Sequence, residues 1–132
     1  MNSRLKLVEW IASSLIDLKN FPANVQQVVG YALYRAQCGD KHPDAKPLKG
    51  FKGAGVLEVV EDDDGDTYRA VYTVKYEGVV YVLHAFQKKS KHGIATPRQD
   101  IELIEARLKR AKEHYEKYHK QRLKENKHES GN

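Results

Sequence analysis

Apolar residues follow two distinct periods along this chain. Residues 4–11 (RLKLVEWI) alternate, with Leu5 and Leu7 on one side and Lys6, Val8 and Trp10 on the other, which predicts an opening strand. Ser13 or Ser14 then caps a short turn through Leu15, Asp17 and Leu18. After Pro22 the period lengthens. Val25, Val28, Val29, Ala32, Leu33 and Ala36 recur at helical spacing, with Pro22 as the start and Gly39 as the stop, so a core-facing helix is expected. Residues 39–55 hold Pro and Gly and no sustained period, and read as a loop.

The densest β signal follows. Residues 56–60 form a strand, and Glu61 to Asp66 make an acidic turn that resembles a calcium loop only loosely, because the later bidentate Glu is missing. No metal site is expected there. Residues 67–76 and 79–86 are β-branched and aromatic and meet at Glu77-Gly78, a tight two-residue turn. If that turn sets the register, Tyr76 faces Val79, Tyr72 faces Leu83, Val71 faces His84 and Arg69 faces Phe86. One face of this hairpin then carries Ala70, Tyr72, Val74, Tyr81, Leu83 and Ala85, fit to bury. The other carries Arg69, Val71, His84, Phe86 and, if pairing continues, Lys88, a set suited to phosphate and base.

Thr96-Pro97-Arg98-Gln99 reads as a helix start, with Thr96 as N-cap, Pro97 as first helical residue and Gln99 as the reciprocal capping partner. Ile101, Ile104, Leu108, Ala111, Tyr115 and Tyr118 then form an apolar seam at spacings of three and four. The pattern predicts one domain over residues 1–119, followed by a polar, frayed tail over 120–132.

Composition narrows the partners. The net charge is +5, but residues 1–87 hold 10 Lys/Arg against 11 Asp/Glu while residues 88–132 hold 13 against 7. A basic C-terminal third without a bulky apolar helix face favours a polyanion such as nucleic acid over a membrane. No apolar run approaches a membrane span and no signal-peptide core opens the chain, so the expected compartment is the cytoplasm. A single cysteine, Cys38, agrees with that and reads as an incidental thiol.

Several of these segments together resemble a known family. Asp17-Leu18, Pro22, Gln37-Cys38-Gly39, Lys46-Pro47-Leu48-Lys49-Gly50, Tyr68-Arg69-Ala70-Val71-Tyr72 and the run from Val82 to Ser90 (VLHAFQKKS) are similar, in order, to the phage-derived branch of the RelE/HigB toxin superfamily. The likeness covers roughly residues 4–112, and YRAVY and LHAFQKKS are its most specific parts. It implies an α+β fold: a small, mostly antiparallel sheet with the N-terminal helices packed on one face, and a C-terminal helix. It also implies the toxin of a type II toxin-antitoxin pair, which cleaves mRNA on the ribosome without a metal or other cofactor. A small helix-turn-helix antitoxin would neutralise it.

The residues fit that chemistry. When a 2′-hydroxyl attacks the adjacent phosphate, the site needs a cation on the phosphorane, a base for the hydroxyl and an acid for the leaving oxygen. Arg69 suits the first role because its rigid fork stays charged, and by resemblance it aligns with the family's catalytic arginine. A structural pair with Glu58 is the competing role. Lys88, Lys89 and Lys91 crowd one another, which lowers lysine pKa values and makes Lys88 and Lys89 candidate proton carriers, with phosphate binding as the competing role. His84 is a candidate acid or base, or else a hydrogen-bonded structural residue. Phe86 is a candidate base-stacking ring or core residue, and Lys91, Lys49 and Lys52 are candidate phosphate contacts, or solvated lysines. Two departures from the superfamily stand out. Its cleft-facing lysines fall at Glu58 and Val60, and no tyrosine follows closely after Lys88-Lys89, so the general base is unassigned; Glu58 is a candidate for it, with an ion pair to Arg69 as the competing role. The alternative is a basic RNA- or ribosome-binding module without turnover, or a protein whose C-terminal seam only binds a partner.

Overall fold

The computed structural model describes residues 5–51, 53, 55–88 and 96–120. The first alternating segment forms strand β1 (Leu7–Trp10), in which Val8 and Trp10 turn toward the core while Leu7 stays exposed. Ser14–Lys19 form helix α1, and Ala23–Gln37 form helix α2 with Val25, Val29, Ala32, Leu33 and Ala36 buried. Helix α2 ends as its sequence predicts. Gly39 takes φ +83, its N–H bonds Ala36 O at 3.0 Å, and the N–H of Asp40 bonds Arg35 O at 2.8 Å, the paired bonds of a Schellman cap.

The loop after α2 contains a two-residue strand, β2 (Lys46–Pro47), which the sequence pattern does not show because a pair of residues has no period. Strands β3 (Val56–Asp63) and β4 (Asp66–Thr73) form a hairpin three residues longer on β3 than expected. Asp64 and Gly65, at φ +50 and +84, form its two-residue loop, and positive φ at both positions suits the right-handed strand twist. Strand β5 (Val79–Lys88) and helix α3 (Arg98–His114) complete the order. The sheet runs β1-β5-β4-β3-β2, antiparallel throughout except for the β1–β5 pair.

The turn at Glu77-Gly78 is present, with the N–H of Val79 bonding Tyr76 O at 3.3 Å, but the β4–β5 ladder does not start there. Pairing begins at Thr73↔Tyr81, and Val74 instead bonds Gly55 O at 3.0 Å. The expected register then holds for only part of the hairpin. Thr67↔Lys88, Arg69↔Phe86 and Val71↔His84 follow the sum set by a tight turn, whereas Tyr72 faces Val82 rather than Leu83. A β-bulge between Val71 and Tyr72 absorbs the extra residue on β5.

That bulge sorts the core. Ala70, Tyr72, Val80, Val82 and Ala85 pack with α2 and Leu18 of α1 on one face. Val71, Tyr81 and Leu83 pack with Ile104 and Ala111 of α3 on the other. Tyr81 and Leu83 therefore lie on the face of Arg69 and Val71, opposite to the face that a uniform register assigns them. The N-terminal helices cover one face as expected, and the C-terminal helix covers the other. Burying Ile104 completely contributes about 1.5–3 kcal/mol of the attraction that seats α3.

Candidate active site

The register gathers the predicted residues on the α3 face at one end of the sheet. Val60, Arg69 and Phe86 form one row across β3, β4 and β5, Glu58, Val71 and His84 the next, and Thr67 faces Lys88 beyond them. Because side chains alternate across a strand, all of these rows share one face. The sequence-derived grouping of Arg69, His84, Phe86 and Lys88 is thus present in space. Lys52, Lys89 and Lys91 lie outside the described residues.

Arg69 is only 5% exposed. Its Nη1 donates to Glu58 Oε2 and to Thr96 Oγ1, each at 3.1 Å. The Glu58 pair, the competing structural role for this arginine, is therefore real. Thr96 does not cap α3 with its side chain: the helix starts with Pro97 at the cap position, whose carbonyl accepts from Asp100 and Ile101 at 3.0 Å. With Pro97 in the cap position, Thr96 lies one residue outside the helix, and its hydroxyl accepts from Arg69 instead. Glu58 and Thr96 also line a groove of about 520 Å³ together with Lys46, Leu48, Lys49 and Ile101. Among the described residues that line it, Glu58 is the carboxylate and Lys46 and Lys49 are the cations.

Lys88 is 8% exposed. Burial pushes its pKa below the ordinary lysine value, the Arg69 charge pushes the same way, and Glu58 and Asp100 push back. The lowering comes from desolvation first and Arg69 second, whereas the expected crowding with Lys89 and Lys91 lies outside the described residues.

His84, 7% exposed, has a partner at each ring nitrogen. Nε2 lies 2.8 Å from Asp100 Oδ1, so in the neutral ring the proton sits there and donates to the carboxylate. Arg107 Nη1 lies 3.4 Å from Nδ1, which accepts. Burial lowers the His84 pKa more than Asp100 raises it, and Arg107 adds to the lowering. The ring stacks on Phe86 at 4.5 Å between centroids and 17° between planes. His84 thus touches Phe86 and, through Asp100, the start of α3.

Asp100 and Arg107 are the residues that sequence reading missed. Seven positions apart on α3, they stand two turns apart on one helix face, a spacing visible in the sequence but masked by the apolar seam beside it. Arg107 also donates to Leu83 O at 3.0 Å and to Ser13 Oγ at 3.1 Å. One guanidinium thus ties the bulge of β5 to α1.

A family model describing the phage-derived Gp49-like proteins (DUF891) matches residues 16–109, from within α1 to within α3. The chain belongs to this Gp49-like family. Its fold is that of RelE toxins: the E. coli toxin RelE, solved as an arginine-to-alanine mutant in the free state, superposes with a TM-score of 0.51 at 16% identity, over 81% of this chain and 98% of that one. The toxin-antitoxin complex RelBE2 from Mycobacterium tuberculosis gives a TM-score of 0.41 at 18% identity, over 67% and 98%. No curated protein matches the sequence. No helix among the described residues is long and apolar enough to cross a membrane.

Proposed function

We propose that this Gp49-like protein is the toxin of a type II toxin-antitoxin pair and an endoribonuclease that cuts mRNA on the ribosome in the cytoplasm. The observation that carries the reading is the meeting of Arg69, Lys88, Glu58 and Phe86 on one patch of a RelE-type sheet beside a groove carrying Lys46 and Lys49. Cations of the chain supply the charge that phosphoryl chemistry requires, so the proposed reaction uses no metal. Lys46 and Lys49, with Lys52 and Lys91, bind phosphates flanking the cut, and Phe86 stacks on a base. A small helix-turn-helix antitoxin covers the same basic surface until it is removed.

In this mechanism the scissile phosphate takes Arg69 from Glu58 and Thr96. That exchange frees the Glu58 carboxylate to accept the proton of the 2′-hydroxyl as its oxygen attacks phosphorus. Arg69 stabilises the phosphorane charge, and the bond to the 5′-oxygen breaks as Lys88 donates a proton to it. The products are a 2′,3′-cyclic phosphate and a 5′-hydroxyl. His84 acts as a positioning residue.

One observation favours a second reading, a non-catalytic RNA- or ribosome-binding module: Arg69 is buried and its charge is already answered by Glu58. Primer extension on a defined mRNA in a purified translation system separates the two. New breaks that require translating ribosomes support the toxin, and an intact message with protein bound supports the module.

A further inference from the structure

The geometry points to a site for a divalent transition metal of the zinc class, built from Glu9, His114 and His119 at the end of the molecule where β1 meets the last turn of α3. One ligand atom of each residue lies within 4.8 Å of the other two. His119 is 6% exposed, and its Nε2 stands 2.7 Å from Glu9 Oε2. The two imidazole centroids are 5.4 Å apart.

The backbone supplies the independent argument. Two residues five apart on an α-helix point about 140° away from each other, since each step turns about 100°. Here α3 is followed by a π-helical turn, Tyr115–His119, whose wider winding brings His119 round to the side of His114. Single π turns are rare and concentrate at functional sites. The surroundings suit metal binding as well. Tyr81 OH lies 2.9 Å from His114 Nδ1 and orients that ring, while Tyr118 packs on it at 4.8 Å and Tyr115 stacks on His119 at 6.4 Å. Such outer partners fix ligand rings before the ion arrives. Glu9 is placed by the backbone, opposite Tyr81 in the β1–β5 ladder.

Two imidazoles and one carboxylate form the donor set that zinc accepts in a tetrahedral site with a fourth position left for water. Binding replaces the proton between His119 Nε2 and Glu9 and opens that close pair to admit the ion, while rotation of the half-buried Glu9 and His114 side chains completes the set. The ion then clamps the end of α3 to the opening strand. This site is separate from the Arg69 patch and the proposal is independent of RNA cleavage.

The test is titration of Zn²⁺ into the full chain, followed by calorimetry and thermal melting, with Co²⁺ as a spectroscopic probe. The expected result is one saturable equivalent, a raised Tm and the visible bands of tetrahedral cobalt. His114→Asn and Glu9→Gln, which alter half-buried side chains and leave the buried His119 intact, weaken binding by more than about tenfold. Absence of stoichiometric binding to the wild type, or affinity unchanged in both variants, overturns the assignment.

Discussion

At the residue scale, the buried ion pair changes what a substitution at Arg69 means. Removing one member of a buried pair costs about 3–5 kcal/mol, and the side chain of Glu58, 17% exposed, places this site at the low end. Arg69→Ala is therefore expected to lose about 3 kcal/mol of stability as well as activity, so loss of cleavage in that variant alone is ambiguous. Arg69→Lys keeps the charge and removes the fork; it is expected to melt close to wild type and to cut at least about tenfold more slowly, by single-turnover cleavage and thermal melting on the same preparation. His84 gives a pH prediction. Its pKa in the fold lies below the ordinary 6.5, so the unfolded chain protonates first as pH falls. Asp100 and Arg107 face it from α3, and the charge of Asp17 reaches it from α1. Its contribution is present above pH 6.5 and is lost as the pH falls from there through the lower folded value. Urea unfolding at about pH 7.5 and 5.5 should show wild type losing more stability than His84→Asn across that interval. Tyr72 offers a gain. Its hydroxyl is buried with no hydrogen-bond partner among the described residues, and burial pushes its pKa up to about 12. Tyr72→Phe removes an unanswered polar group, and a rise of about 1 kcal/mol in unfolding free energy is expected.

At the scale of elements, the bulge in β5 is the feature on which the site depends. Without it, His84 and Phe86 would pair as they do, but Tyr81 and Leu83 would leave the α3 face and α3 would lose its seat. Its backbone groups are answered from outside the hairpin: Ile11 N–H and Ser14 Oγ bond Val82 O at 3.0 and 3.1 Å, and Arg107 bonds Leu83 O. Arg107→Met retains the stem and strands that carbonyl, and a loss of about 1–3 kcal/mol is expected in chemical denaturation. The bulge was not legible in the sequence because residues 79–85 are all buried, so no apolar alternation marks where the register slips. Helices α2 and α3 were legible, since each buries one stripe only. The grouping of Arg69, Phe86 and Lys88 was legible too, because it lies on the side of the bulge where the tight-turn register holds. The partners of Arg69 and His84 were less so: Thr96 looks like a cap until an arginine is known to sit beside it, and the π turn has no marker in YEKYH.

At the scale of the whole molecule, both sheet faces are covered, and Lys46 and Lys49 line, with Glu58 and Thr96, one groove between the β2 region and the start of α3. The C-terminal charge excess seen in the sequence agrees with a polyanionic partner, whereas the net value of +5 alone would not locate it. The family model places the chain among the Gp49-like proteins and its fold is that of RelE toxins, while the proposed chemistry is argued from the Arg69 patch. The most direct measurement is therefore the end chemistry of fragments made from ribosome-bound mRNA, wild type beside Arg69→Lys. A 2′,3′-cyclic phosphate and a 5′-hydroxyl at each new break, formed far more slowly by the variant, are predicted. Fragments ending in a 3′-hydroxyl and a 5′-phosphate, or equal rates from the two proteins, would contradict 2′-hydroxyl attack at Arg69.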